Sequence, residues 1–265
     1  MKFKSIFWLF NGVVVLALVI FGVASFLLFG RDYAAVYWGN MWIVAVLFVV
    51  LIAVLDFYFV RNWKLFDLLE QEDWPALLAW LEDRIYVRGQ FKRPYANLLI
   101  NTALSVSNID AVKKLETEVR QRKPELLKHL GVALGIPVLL SQDSEAVKAY
   151  FGPLADDART HRRDWARWCR AAAAGSDGLE ELADLLEAKD LSVRLLAYDE
   201  LNRGPHELPE AVSASMNDAA SELKGQLEGE SGERRLTRSR EDHLMAVVLT
   251  ARVNEARKDL LADAV

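Results

Sequence analysis

The sequence predicts an all-α chain, with an N-terminal transmembrane helical hairpin followed by an α-solenoid of helix pairs. Three observations predict it. Two long apolar runs fill the first 60 residues. Beyond Val60 no stretch alternates apolar and polar residues with β-branched enrichment, so nothing signals a strand. Finally, three rows of residues recur every 35 positions: Asp73, Asn108, Asp143 and Gly178; Leu77, Val112, Val147 and Leu182; Trp80, Leu115, Tyr150 and Leu185. The first row holds helix-starting or turn residues, and the other two are apolar. Such a period marks stacked helical hairpins, each too small to bury its own apolar face.

The hairpin comes first. Ile6–Phe29 is a 24-residue run whose only strongly polar members are Asn11 and Ser25, and Met41–Val60 is a 20-residue run with one charge, Asp56. Each is long enough to cross a hydrocarbon core of roughly 30 Å as a helix. The short connection Gly30–Asn40 carries Tyr33, Tyr37 and Trp38, rings suited to a membrane interface. Lys2 and Lys4 precede the first run, and Arg61 and Lys64 follow the second. Basic outer flanks place both termini on the cytoplasmic side of an integral membrane protein with two spans. A cleaved signal peptide is the rival reading; the first run is long for one, and a second follows directly.

Asn11 and Asp56 fall at similar depth if the two helices run antiparallel. As an intramembrane polar pair they would hold the helices in register, since a lone carboxyl there is costly. The alternatives are a proton or ion site, or an aspartate that reaches the headgroups or Arg61.

The remaining chain reads as helices joined by short turns. Trp63–Glu70 continues the second span. Asp73 caps a helix with Pro75 in its first turn, and Gly89 terminates the unit. Pro94 opens the next helix, Ser107-Asn108 breaks it, and Asn108 caps its partner up to Pro124. Leu126–Leu140 should kink at Gly135 and Pro137. Asp143 starts a helix that Gly152-Pro153 should end early. Arg159–Ala174 and Leu179–Ala188 form a further pair around the turn at Gly175–Gly178. Ala96, Gly131 and Ala166, all small, also stand 35 apart, on the first helix of successive units.

Over about residues 63–190 these rows resemble tetratricopeptide-type repeats. The likeness rests on the period, on the small residue of the first helix, and on the turns Asp73…Ala76, Asn108…Ala111 and Asp143…Ala146 before the second. The gap of 15 from small residue to alanine is wider than that family uses, and the aromatic and glycine signature of the first helix is incomplete. Another helical-hairpin solenoid therefore stays open. The resemblance implies a concave surface for protein or peptide docking. Trp74, off the apolar stripe, is either an anchor for a partner or part of the core.

After Leu191 the register fades. The expected organisation is a two-helix anchor over 1–62, a repeat domain over 63–228, a linker over 229–240 without apolar periodicity, and a C-terminal helix over 241–265. That last helix would cap the solenoid or bind a partner.

Chemistry is sparsely signalled. Residues 61–265 carry 29 basic and 35 acidic side chains, a formal charge of −6 that argues against a nucleic-acid binder. His129, His161, His206 and His243 have no metal-site spacing, and no phosphate-binding glycine motif occurs. Cys169 reads as a buried thiol. No enzyme, cofactor, metal or small-molecule ligand is expected. Five arginines crowd 12 residues: Arg159, Arg162, Arg163, Arg167 and Arg170. They read either as a contact for an anionic partner or as a face paired with Glu180, Glu181 and Asp184. A second basic group, Arg234, Arg235, Arg238 and Arg240, reads as solvated. The expected function is a membrane-anchored adaptor that docks proteins on a cytoplasmic repeat surface. The alternative is a subunit of a membrane transport or envelope-biogenesis complex in which the hairpin is the working part.

Overall fold

The computed structural model describes residues 3–204, 208–241 and 244–262. Their regular structure is entirely helical, with no strand among the described residues. The chain divides into two compact units, Met1–Trp80 and Leu81–Val265.

The first unit begins with α1, Phe3–Arg61, two helices that meet at Gly30, where φ is 76° and ψ 169°. A positive φ costs glycine nothing, because it has no Cβ. The chain turns on this one residue, not on the expected loop: residues 31–40 hold no proline and continue as helix. The side chains of Tyr33, Tyr37 and Trp38 lie outside the described ones. Within α1, Lys4–Ala24 and Trp42–Arg61 are long and apolar enough to cross a membrane, with mean hydropathies of 2.6 and 2.9. The two run antiparallel, since residues far apart in sequence meet across them. Phe7 packs on Phe59 and on Trp63, ring centroids 6.0 and 5.5 Å apart, and Lys4 pairs with Asp67 at 3.1 Å. Helix α2, Trp63–Glu70, does not simply prolong α1. The buried Asn62 donates its side-chain amide to Tyr58 O at 2.8 Å and marks a break between them.

Helix α3, Trp74–Glu82, closes the first unit and reaches into the second. It ends in one π-helical turn, Asp83–Val87, before Gly89 at φ 66°. The second unit continues with α4 Arg93–Ser105, α5 Ile109–Arg122, α6 Leu127–Leu134, α7 Ile136–Leu140, α8 Ser144–Asp156, α9 Arg163–Ala174, α10 Leu179–Leu185, α11 Leu191–Arg203, α12 Glu210–Leu227, α13 Gly229–Glu241, α14 Leu244–Val248 and α15 Thr250–Ala262.

The 35-residue period is physical. Helices α3, α5, α8 and α10 begin at Trp74, Ile109, Ser144 and Leu179, one residue after each member of the first row. Asp73, Asn108 and Asp143 each accept a hydrogen bond from the amide three residues on, at 3.0, 3.1 and 3.1 Å. Such a cap stabilises a helix start by about 1 kcal/mol. The residue before each cap is left-handed: Glu72, Ser107 and Gln142 have φ of 53°, 55° and 57°. Gly178 holds the fourth position because a Cβ there would meet Ala171 O at 2.2 Å. Leu77, Val112, Val147 and Leu182 are all buried, as are Leu115 and Leu185, while Trp80 and Tyr150 are half-buried.

In the second unit consecutive helices pack on one another, α4 on α5, α5 on α6, α8 on α9 and α10 on α11. The first helices of each pair also touch in series, α4 on α6, α6 on α9 and α9 on α11. The small residues on this row let backbones approach: Ala96 and Ala166 are buried, and a Cβ on Gly131 would stand 2.8 Å from Leu154. The core runs from Val132 through Phe151, Trp165 and Trp168 to Leu196, Leu223 and Leu260.

Three elements depart from expectation. Gly135 and Pro137 do split a helix, into α6 and α7, but Pro153 sits inside α8, which continues to Asp156. The lost bond would involve the carbonyl of Ala149, an exposed residue. The arginine-rich helix starts at Arg163, because Arg162 is left-handed at φ 62°. The expected linker 229–240 is helix α13. Gly229 turns the chain at φ 67°, Gly232 closes on the backbone of Leu227, and Leu236 is 1% exposed. A single buried anchor leaves no period to read. Of the C-terminal helix expected over 241–265, Glu241 ends α13 and the described residues 244–262 form two helices, α14 and α15.

Candidate docking groove

Helices α5 to α8 enclose a groove of about 510 Å³. The 35-residue pairing shapes it: α8 carries Ala146, Ala149 and Tyr150 to one wall, and Leu127 and Val138 of α6 and α7 form another. Ala149 is exposed, whereas Leu127, Val138 and Leu154 are half-buried. Tyr150 donates its hydroxyl to Gly131 O at 3.1 Å and lies under Arg120, 5.9 Å from the ring centroid. Burial and then the Glu116 carboxylate push the Tyr150 hydroxyl pKa up, so it stays a donor. Thr160 lines the same groove with a buried hydroxyl that has no hydrogen-bond partner among the described residues. Lys128 and Arg120 bring positive charge, and Asp157 brings one carboxylate. Arg159 holds that carboxyl down at about 2 through its hydrogen bonds. The groove thus offers an apolar floor, one unused polar atom and a mostly cationic rim.

A second cleft, about 620 Å³, lies among α10, α11 and α12 and is largely acidic, with Asp184, Glu187, Asp218 and Glu222 around Arg194. Arg194 spends its guanidinium on Glu222 at 2.8 Å and on Leu186 O at 2.7 Å.

The five arginines do not gather on one open face. Arg167 pairs with Glu181 at 3.0 Å and Asp184 at 3.1 Å. Arg170 pairs with Glu181 at 2.7 Å and Asp156 at 2.6 Å. Arg159 pairs with Asp157 at 3.0 Å, Arg163 donates to Ala155 O, and Arg162 meets Asp190 at 3.5 Å. Helices α8, α9 and α10 thereby share one ion-pair network. Asn11 and Asp56 are brought together, the amide donating to the carboxylate at 3.2 Å.

His129 and His161 come within 6.3 Å, ring to ring, a closeness their sequence separation gave no way to see. No three metal-binding side chains gather among the described residues. His206 and His243 lie outside those residues. Cys169 is fully buried, and burial pushes its thiol pKa up, away from a reactive thiolate. Sequence reading missed the groove itself, because its walls come from four helices. It also missed buried Asp199, which Arg203 meets at 2.9 Å and Arg252 at 3.6 Å.

No solved structure matches this chain. A Treponema pallidum (strain Nichols) protein with the name "Uncharacterized protein" is 27% identical over 148 residues, which is 53% of this chain and 45% of that relative. The chain thus spans less than half the length of the curated relative it matches. Residues 111–261, from the start of α5 nearly to the end of α15, match a family profile described as "Uncharacterised Treponema protein". This is more than half of the chain and takes in the whole groove, so the chain belongs to that family.

Proposed function

We propose that the chain is a membrane-anchored adaptor. Its hairpin spans the membrane twice with both termini cytoplasmic, and its tetratricopeptide-like α-solenoid docks a protein partner. The observation that carries this reading is the 35-residue recurrence of helix start, cap and left-handed turn at Asp73, Asn108 and Asp143. Repeats of this kind act through preformed concave shape, and the α5–α8 groove is such a surface, apolar at its floor. A few anchored side chains would carry most of the binding energy there. The partner would meet Tyr150, Leu154 and the Thr160 hydroxyl. No catalytic role is assigned to any residue.

Photo-crosslinking in native membranes from Ala149, with exposed Lys258 on α15 as the control position, tests it. Adducts that form from Ala149, not from Lys258, and vanish when Ala146→Arg fills the groove support docking. Equal patterns from both positions, or adducts indifferent to Ala146→Arg, defeat it. The second reading, in which the hairpin is the working part, draws on the Asn11–Asp56 contact. Under it, Asp56→Asn abolishes the cellular phenotype while the Ala149 adduct persists.

A further inference from the structure

Basic residues from three separate stretches of the chain, at Arg162, at Lys189 and at Arg235 and Arg238, converge on one cleft of about 320 Å³. Arg162, the residue before α9, and Lys189, two before α11, line it from one side. Arg235 and Arg238, three apart on one face of α13, line it from the other. The one carboxylate present, Asp190, is already committed. It caps α11 by accepting from Ser192 N at 3.0 Å, accepts Trp165 Nε1 at 2.9 Å, and meets Arg162 at 3.5 Å.

Among the described residues no carboxylate pairs with Lys189, Arg235 or Arg238. The contrast with their neighbours is informative: Arg234 reaches Glu230 at 3.3 Å, and Arg167 and Arg170 each take two carboxylates. In a chain of formal charge −5, acidic side chains are abundant, yet among the described residues none pairs with these three cations. Like charges around one concavity repel, and an anion seated between them turns that repulsion into attraction. The guanidinium forks of Arg235 and Arg238 match paired oxygens of a tetrahedral anion, and Lys189 adds a point charge. A phosphomonoester carries close to two charges at neutral pH, which suits three unanswered cations better than one carboxylate does.

We propose that this cleft binds a phosphate-bearing anion through Lys189, Arg235 and Arg238, with Arg162 held in place by Asp190. The proposal is independent of the docking groove, which lies on other helices. The ligand is either a free phosphate compound or a phosphate headgroup of a lipid, and two probes separate them. Titration calorimetry of the full chain in detergent micelles uses inorganic pyrophosphate and water-soluble dihexanoyl phosphatidic acid. Sodium chloride at equal ionic strength and dihexanoyl phosphatidylcholine serve as controls. Saturable binding of pyrophosphate assigns a free ligand, and binding of the phosphatidic acid alone assigns a headgroup. In either case Arg235→Gln with Arg238→Gln weakens binding by about tenfold or more, since each removes a charge-assisted hydrogen bond. Lys189→Gln, on a different segment, weakens it independently, so a disturbed α13 does not decide the matter. Circular dichroism checks that the variants keep their helix content. Failure of both probes to saturate, or equal affinity in the variants, overturns the assignment.

Discussion

The hairpin and the second unit are both helical, but they hold their helices for opposite reasons. In Lys4–Ala24 and Trp42–Arg61 none of the described side chains is buried, and large apolar ones such as Trp8, Leu47 and Phe57 stand exposed. From α4 onward most large apolar residues are inside, Leu140 and Val247 being exposed, and several helix ends are capped, turned or closed by glycine. Asn11 ties one arm of α1 to the other by donating its side-chain amide to Asp56. In the second unit ion pairs and caps join most helices to a neighbour. Helices in an apolar solvent need only satisfied backbones, whereas helices in water must bury a face.

The largest test of that contrast is Trp165→Ala. The indole is 0% exposed and donates to Asp190, so its loss should destabilise the second unit by about 3–5 kcal/mol. Thermal unfolding of the full chain in detergent should show a lowered transition for α4–α15 with the α1 helicity unmoved. A simultaneous loss of both would show that the units are one cooperative body.

Removing a cap should cost less. Asp143→Ala takes away the acceptor for Glu145 N and Ala146 N and should lower stability by about 1 kcal/mol. Chemical denaturation reads it, and an unchanged midpoint would mean that packing alone starts α8. In the hairpin, Asp56→Leu breaks the contact with Asn11. Buried polar contacts between membrane helices average about 0.6 kcal/mol, so only a small shift in hairpin unfolding in detergent is expected. A larger shift would give Asp56 a role beyond register.

The smallest effect is in pH. His161 has its pKa lowered by burial first, then by Arg162, Arg93 and His129. The native state therefore disfavours the imidazolium, and the unfolded chain binds more protons just below the ordinary value of 6.5. Its contribution to stability is complete above pH 6.5 and is lost as pH falls through that value towards the lowered one. His161→Gln should flatten this slope slightly between pH 7 and 5; an unaltered slope would assign it to other groups.

Much of the fold was legible in residues. The 35-residue rows located the starts of α3, α5, α8 and α10, because a capping side chain acts on amides two or three positions away and needs no distant partner. The break at Gly135 and the turn at Gly178 were legible for the same local reason. Helix α13 was not. Among its described residues Leu236 is the large apolar side chain that joins the core, and one such anchor gives no period. Arg162, Arg235 and Arg238 stood in basic groups visible in the sequence, but Lys189 did not, and their convergence on one cleft was not visible there.

By itself the sequence determined the helical class, the two apolar runs long enough to span a membrane, and the phase of the repeat. These follow from composition and from interactions within a few residues. The sequence offered two readings of the arginine-rich stretch, an anionic contact or a face paired with Glu180, Glu181 and Asp184, and only the tertiary structure shows which charges pair. It spent Arg167 and Arg170 on Glu181, and it left Lys189, Arg235 and Arg238 facing one cleft. Charge pairing between helices depends on distances of a few ångströms between residues far apart in the chain, which spacing along the sequence does not fix.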